Sequence, residues 1–147
     1  MTLRHVAILR LLSFERRFIR RLEKRGGTAR ALEYPRCDGT VRAYLFQPEK
    51  PTHHVMVCAH GGGNDALFPL VQVFSTIISN GWSIFTFDID GHGRNSTSQL
   101  IPDQVRDCFG AAVAHCRALL PQCEVHLLGH SFGGLLALDL ALQNTSP

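Results

Sequence analysis

The chain has 147 residues, 45% hydrophobic and 18% charged, enough for one domain with a packed core and unlike a disordered or fibrous class. Its net charge of +3 is uneven, because residues 1–25 hold eight basic and two acidic side chains (net +6) while the remainder carries −3. Basicity confined to one end gives no argument for a nucleic-acid partner. Apolar runs fall short of the roughly 20 residues that span a bilayer, and arginines interrupt any signal-peptide core. Five cysteines with no CxxC pair fit reduced thiols in a cytoplasmic protein better than a disulfide framework or a zinc site.

In chain order, Leu3, Ala7, Leu11, Phe14, Phe18 and Leu22 recur at steps of three and four, which predicts an amphipathic helix over residues 3–24. Gly26-Gly27 ends it, so residues 1–27 read as a basic helical segment and 28–147 as the main domain. The stripe either packs on its own domain, the favoured reading, or lies on an anionic membrane surface as a peripheral contact through residues 3–24. Ala29–Tyr34 and Thr40–Phe46 read as strands of a hairpin around Cys37-Asp38-Gly39. Val55–Ala59 is a short buried strand running into His60-Gly61-Gly62-Gly63-Asn64-Asp65. A helix is expected over Ala66–Asn80, with Pro69 in its first turn and Asn80-Gly81 as the stop.

Trp82–Phe87 is the next strand, followed by the loop Asp88-Ile89-Asp90-Gly91-His92-Gly93-Arg94-Asn95-Ser96. Pro102 opens a helix striped by Val105, Cys108, Phe109, Ala112, Val113, Cys116 and Leu119, which Pro121 ends. Val125, Leu127 and Leu128 form a buried strand, and Ser131–Leu142, rich in Leu and Ala, a helix. Between them Gly129-His130-Ser131-Phe132-Gly133 has the form of a nucleophile elbow. A turn this tight brings backbone against backbone, so a Cβ at either flanking glycine would collide with its neighbour.

A hairpin followed by alternating strands and helices implies an α/β fold, a mostly parallel sheet with an antiparallel N-terminal hairpin and helices on both faces. Ligands on such sheets bind at the strands' carboxyl ends. Three loops, carrying His60-Gly61-Gly62, Asp88–Ser96 and Ser131, converge on that one rim.

In their order, His60-Gly61-Gly62-Gly63, Asp88-x-Asp90-Gly91-His92-Gly93-Arg94-x-Ser96 and Gly129-His130-Ser131-Phe132-Gly133-Gly134 resemble the motifs of an α/β-hydrolase. The resemblance, to the branch holding lysophospholipases, monoacylglycerol lipases and related carboxylic-ester hydrolases, covers roughly residues 29–143. It implies a serine esterase or lipase-like enzyme acting on a small-molecule ester through an acyl-enzyme on Ser131, with no cofactor and no metal. It implies an oxyanion hole of the Phe132 N–H and a second N–H from Gly62, with Gly63 the alternative. It also makes His60, Gly61, Asp88, Asp90, Gly91, His92, Gly93, Gly129, His130 and Gly133 scaffold positions of the three motifs rather than bases.

The family takes its acid and base, in that order, from chain beyond the serine. The sixteen residues after Ser131 hold Asp139 and no histidine, and Asp139 falls mid-helix. Among upstream histidines, His126 lies in the strand, His115 on the preceding helix, His53-His54 at a strand's amino end, and His130 is expected to point away from the serine. The expectation is therefore a fold truncated after the nucleophile helix, an apolar edge left on the last strand, and a chain with little or no triad-dependent turnover. A non-catalytic binding module of the same fold, or an acyltransferase in a complete form, is the alternative. Substrate identity and oligomeric state are not encoded in any motif.

Overall fold

The computed structural model describes residues 15–24, 27–36, 39–63, 65–67, 70–95 and 102–143. Expectations for residues 3–14, for Gly26, for the hairpin residues Cys37 and Asp38, for Asn64 and Pro69, and for Ser96 and the tail 144–147 lie outside them. A helix, α1 (15–23), precedes strands β1 (Gly27–Arg36), β2 (Gly39–Pro48) and β3 (His54–Ala59). Helix α2 (Val71–Ser79), β4 (Ser83–Phe87), α3 (Pro102–Leu119), β5 (Glu124–Gly129) and α4 (Phe132–Gln143) follow.

The five strands form one sheet in the order β1-β2-β4-β3-β5. β1 pairs antiparallel with β2 from Gly27↔Pro48 to Arg36↔Gly39, and β2 pairs antiparallel with β4. β3 runs parallel to β4 on one side and to β5 on the other. The sheet is thus mixed, with the expected antiparallel N-terminal hairpin on one side and the expected parallel strands β4, β3 and β5 on the other. Every residue of the central strand β4 is buried, as suits a strand covered on both faces.

Two apolar clusters sandwich the sheet. One joins Val41, Ala43, Val57, Phe85 and Phe87 to Val105, Phe109, Ala112 and Cys116 of α3 and to Leu136 of α4. The other joins Tyr44, Phe46, Cys58 and Ile84 to Phe74 and Ile78 of α2 and to Phe18 and Leu22 of α1. The alternation of Ala43 and Leu45 with Tyr44 and Phe46 between the clusters is the period of two made physical. Phe18 packs edge-on against Phe46 at 5.6 Å, so this part of the N-terminal stripe lies on the domain's own sheet.

The second helix starts at Val71, five residues later than the expected Ala66. Ala66 and Leu67 form a bend whose N–H groups donate to Asp88 Oδ1 at 2.8 Å and Asp65 Oδ1 at 2.9 Å. These two carboxylates hold that backbone out of the helix; helical propensity over so few residues does not overcome them. At the far edge, β5 is half-covered and α4 leaves Leu135, Leu138 and Leu142 exposed. Among the described residues no helix is long and apolar enough to cross a membrane, and Cys58, Cys108, Cys116 and Cys123 are free thiols.

Candidate active site at the carboxyl rim of the sheet

Adjacent strands β4, β3 and β5 end at Phe87, Ala59 and Gly129, so the loops that follow lie side by side. The third loop is a two-residue turn, His130-Ser131, from β5 into α4. Ser131 has φ +53°, the one positive value of a non-glycine residue among those described and a strained conformation for a residue with a Cβ. It is exposed at the apex, one residue before the first turn of α4, where backbone N–H groups lack helical partners.

The turn is as tight as its glycines suggest. A Cβ on Gly129 would lie 2.2 Å from the Gly133 carbonyl oxygen, and one on Gly133 would lie 2.3 Å from the Ala59 oxygen. The neighbouring strand fixes it as well, since the N–H groups of His130 and Gly133 donate to the Ala59 and His60 carbonyls, both at 3.0 Å.

His60 follows β3 and is fully buried. Its Nε2 accepts the Ile89 N–H at 3.0 Å, so Nδ1 carries the ring proton and donates to the Gly61 carbonyl at 2.7 Å. Burial, helped by nearby His92, lowers its pKa to about 4. This neutral imidazole ties the first rim loop to the second and has no nitrogen left for a substrate. Gly61 is buried beside it, whereas Gly62 and Gly63 are exposed. A Cβ on Gly62 would lie 4.0 Å from the Phe132 Cβ, which puts the first loop against the start of α4.

The second loop is built on two buried carboxylates. Asp88 accepts the Ala66 and Arg94 N–H groups, each at 2.8 Å, and burial nonetheless raises its pKa to about 6. The backbone turns around it at Gly91 and Gly93, both with positive φ, and a Cβ on Gly93 would fall 2.3 Å from the Asp88 carboxyl carbon. Asp90 is held by Arg36 Nε at 2.9 Å and by Asn95 Nδ2 at 2.9 Å. Arg36 also donates to the Gln104 carbonyl, which joins β1 to α3. His92 sets Nδ1 3.1 Å from the Asp90 carbonyl, and its ring lies between those of His60 and Phe132, at 5.4 and 6.4 Å.

Arg36, Asn95 and the Ala66 N–H escaped the reading of the sequence. Arg36 lies 54 residues before Asp90, and no local pattern links them. Asp139, the sole carboxylate after Ser131, is engaged by Arg106 of α3 through bonds of 2.9 and 2.7 Å, which lower its pKa. His130 is exposed. Chemically the rim offers an exposed hydroxyl beside a helix N-terminus on a rigid floor.

The sequence pattern of the alpha/beta hydrolase fold matches residues 54–147, the span holding all three rim loops. The chain belongs to this family. It is similar to protein phosphatase methylesterase 1 of Bos taurus, with 32% identity over 112 residues covering 74% of this chain and 28% of that protein. The counterpart from Schizosaccharomyces pombe is 28% identical over 116 residues, 75% of this chain and 34% of that one. The chain thus spans about a third of the length of these curated relatives. Among solved structures, a thermostable carboxyl esterase from Bacillus coagulans superposes with a TM-score of 0.68 at 16% identity, over 80% of this chain and 41% of that one. A serine hydrolase without lid from Xanthomonas campestris gives 0.68 at 21%, over 78% and 57%. Those two likenesses extend the shared fold and nothing further.

Proposed function

We propose that this chain carries the nucleophile and the oxyanion donors of a serine hydrolase acting on carboxylic esters. The observation that carries the reading is Ser131 at φ +53°, pinned between two glycines that tolerate no Cβ. This is the geometry of a nucleophile elbow, in which strain lifts the hydroxyl above the sheet. The Ser131 Oγ attacks the ester carbonyl, and the oxyanion is met by the Phe132 N–H and by an N–H of Gly62 or, alternatively, Gly63. The tetrahedral intermediate collapses with loss of the alcohol, which takes up the serine's proton, and water then releases the acid from the acyl-enzyme.

The relatives support an ester as the substrate class, since they are named for a methylesterase. A methyl ester on a protein carboxyl belongs to that class as much as a small-molecule ester does. Among the described side chains around Ser131, His60 does not serve as the general base, because both of its nitrogens are committed to backbone. The one carboxylate after Ser131, Asp139, is engaged by Arg106, so turnover of esters by the 147-residue chain is expected to be close to background, since an oxyanion hole and binding alone retain only a residue of a triad's rate.

Reaction of the purified chain with a fluorophosphonate, beside Ser131→Ala, tests the assignment. The expected result is slow one-to-one labelling at Ser131, as Oγ displaces fluoride from phosphorus, and none in the variant. A folded chain that stays unlabelled would leave a binding module built on a hydrolase fold.

A further inference from the structure

At the opposite, amino-terminal end of the β3–β5 pair lies a second cluster that the hydrolase reading does not use. His54 opens β3 directly across from Glu124, and His126 stands across from Met56. The three side chains share one face of the sheet, because Glu124 and His126 are two residues apart on one strand. His54 Nδ1 and His126 Nε2 are 3.1 Å apart. The Glu124 carboxylate straddles them, with Oε2 3.5 Å from His54 Nδ1 and Oε1 3.9 Å from His126 Nε2.

We propose that His54, Glu124 and His126 form a binding site for a divalent transition-metal ion of the zinc type. Two imidazoles and a carboxylate are ligands that such ions accept in tetrahedral sites, with a fourth position left to water. Bonds of about 2.0–2.1 Å at tetrahedral angles separate donor atoms by roughly 3.3–3.4 Å. The observed separations bracket that spacing, so small side-chain rotations suffice to receive an ion.

The rings are also held in place. Trp82, just before β4, packs against both imidazoles, with ring centroids 4.6 Å away in each case. This wall fixes ring orientation, a role that outer-shell partners commonly serve at metal centres. The chain's strands bring together residues 72 positions apart, so the ion would fasten β3 to β5, the last strand of the described sheet. Ser131 follows the other end of β5, which separates this ion from the ester chemistry.

Trp82 is the one tryptophan of the chain and so a built-in reporter. The metal-free full chain is titrated with Zn²⁺ by calorimetry, and with Ni²⁺ or Cu²⁺ while tryptophan emission is followed. The expected result is one Zn²⁺ per chain at roughly 10 µM or tighter, with Ni²⁺ and Cu²⁺ quenching Trp82 at the same stoichiometry. His126→Gln should weaken binding by about 100-fold or more, since even outer-shell losses cost about 10–100-fold. His53→Ala, an exposed neighbour, should bind like wild type. Failure of the wild-type chain to bind Zn²⁺, binding that leaves Trp82 emission untouched, or affinity unchanged by His126→Gln would each overturn the site. The emission readout needs no variant, so it stands even if a substitution unfolds the chain.

Discussion

The two ends of the β3–β5 pair hold histidines under opposite conditions. At the carboxyl end His60 is fully buried, with one nitrogen accepting a backbone N–H and the other donating to a carbonyl. At the amino end His54 and His126 are half-exposed and turn their nitrogens toward each other and toward Glu124. A ring satisfied by backbone is scaffold; it fixes two loops and does no chemistry. A ring whose partners are other side chains can exchange those bonds for a ligand by side-chain rotation alone. The rim is thus tied to backbone and rigid where it supports Ser131, whereas the imidazoles at the amino end are held by side chains alone.

The sharpest way to break that contrast is to attack the rigid end. Gly133→Ala places a Cβ 2.3 Å from the Ala59 carbonyl oxygen, and backbone on both sides leaves it nowhere to go. Destabilisation by more than about 3 kcal/mol is expected from overpacking of this kind. Urea unfolding beside wild type checks it. A midpoint within error of wild type would mean that the elbow is looser than its contacts imply.

A smaller effect concerns two groups of the rim that titrate in opposition. His60, lowered from 6.5 to about 4, contributes stability that is complete above pH 6.5 and is lost as the pH falls to 4. Asp88, raised from 3.8 to about 6, contributes stability that is complete below pH 3.8 and is lost as the pH rises through 6. Each amounts to about 3 kcal/mol, so between pH 4 and 6 their slopes cancel. Asp88→Asn removes one slope. Relative to wild type its stability should climb by about 3 kcal/mol as the pH rises from 4 to 6, whereas that of His60→Gln should fall over the same window. Denaturation curves at pH 4.5, 5.5 and 6.5 read this directly, and variants that track wild type in parallel would remove the opposition.

The fold was legible because its signals are local. Apolar runs, helical periodicity and Gly or Pro stops mark most strands and helices within a dozen residues, and the three glycine-bearing loops each follow a short apolar run. The tight turn at Ser131 was legible for the same reason, since Gly129 and Gly133 carry its steric requirement within five residues. What escaped is non-local. Arg36 meets Asp90 only because two successive antiparallel pairings bring the end of β1 to the rim where β4 ends, and His54 meets His126 only because β3 and β5 pair in one register. The late start of α2 belongs here too, because the carboxylate that holds the Ala66 N–H is supplied 22 residues downstream.

The smallest structural change has a chemical consequence that separates scaffold from site. Gly62 has no need of its missing Cβ on the protein's own account: an added methyl meets nothing nearer than the Phe132 Cβ at 4.0 Å, and its φ lies outside the left-handed region. Gly62→Ala should therefore change stability by no more than about 1 kcal/mol. Its methyl would nevertheless stand beside the start of α4, where the proposed oxyanion donors Phe132 and Gly62 meet. Fluorophosphonate labelling of Ser131 should slow by about tenfold or more, since loss of an oxyanion contact costs about 100-fold or more. Stability and labelling measured on one preparation distinguish the causes. A variant that is as stable as wild type and labels at the same rate would move the second oxyanion donor to Gly63, whereas one that loses both would make Gly62 part of the rigid floor with His60 and Gly133.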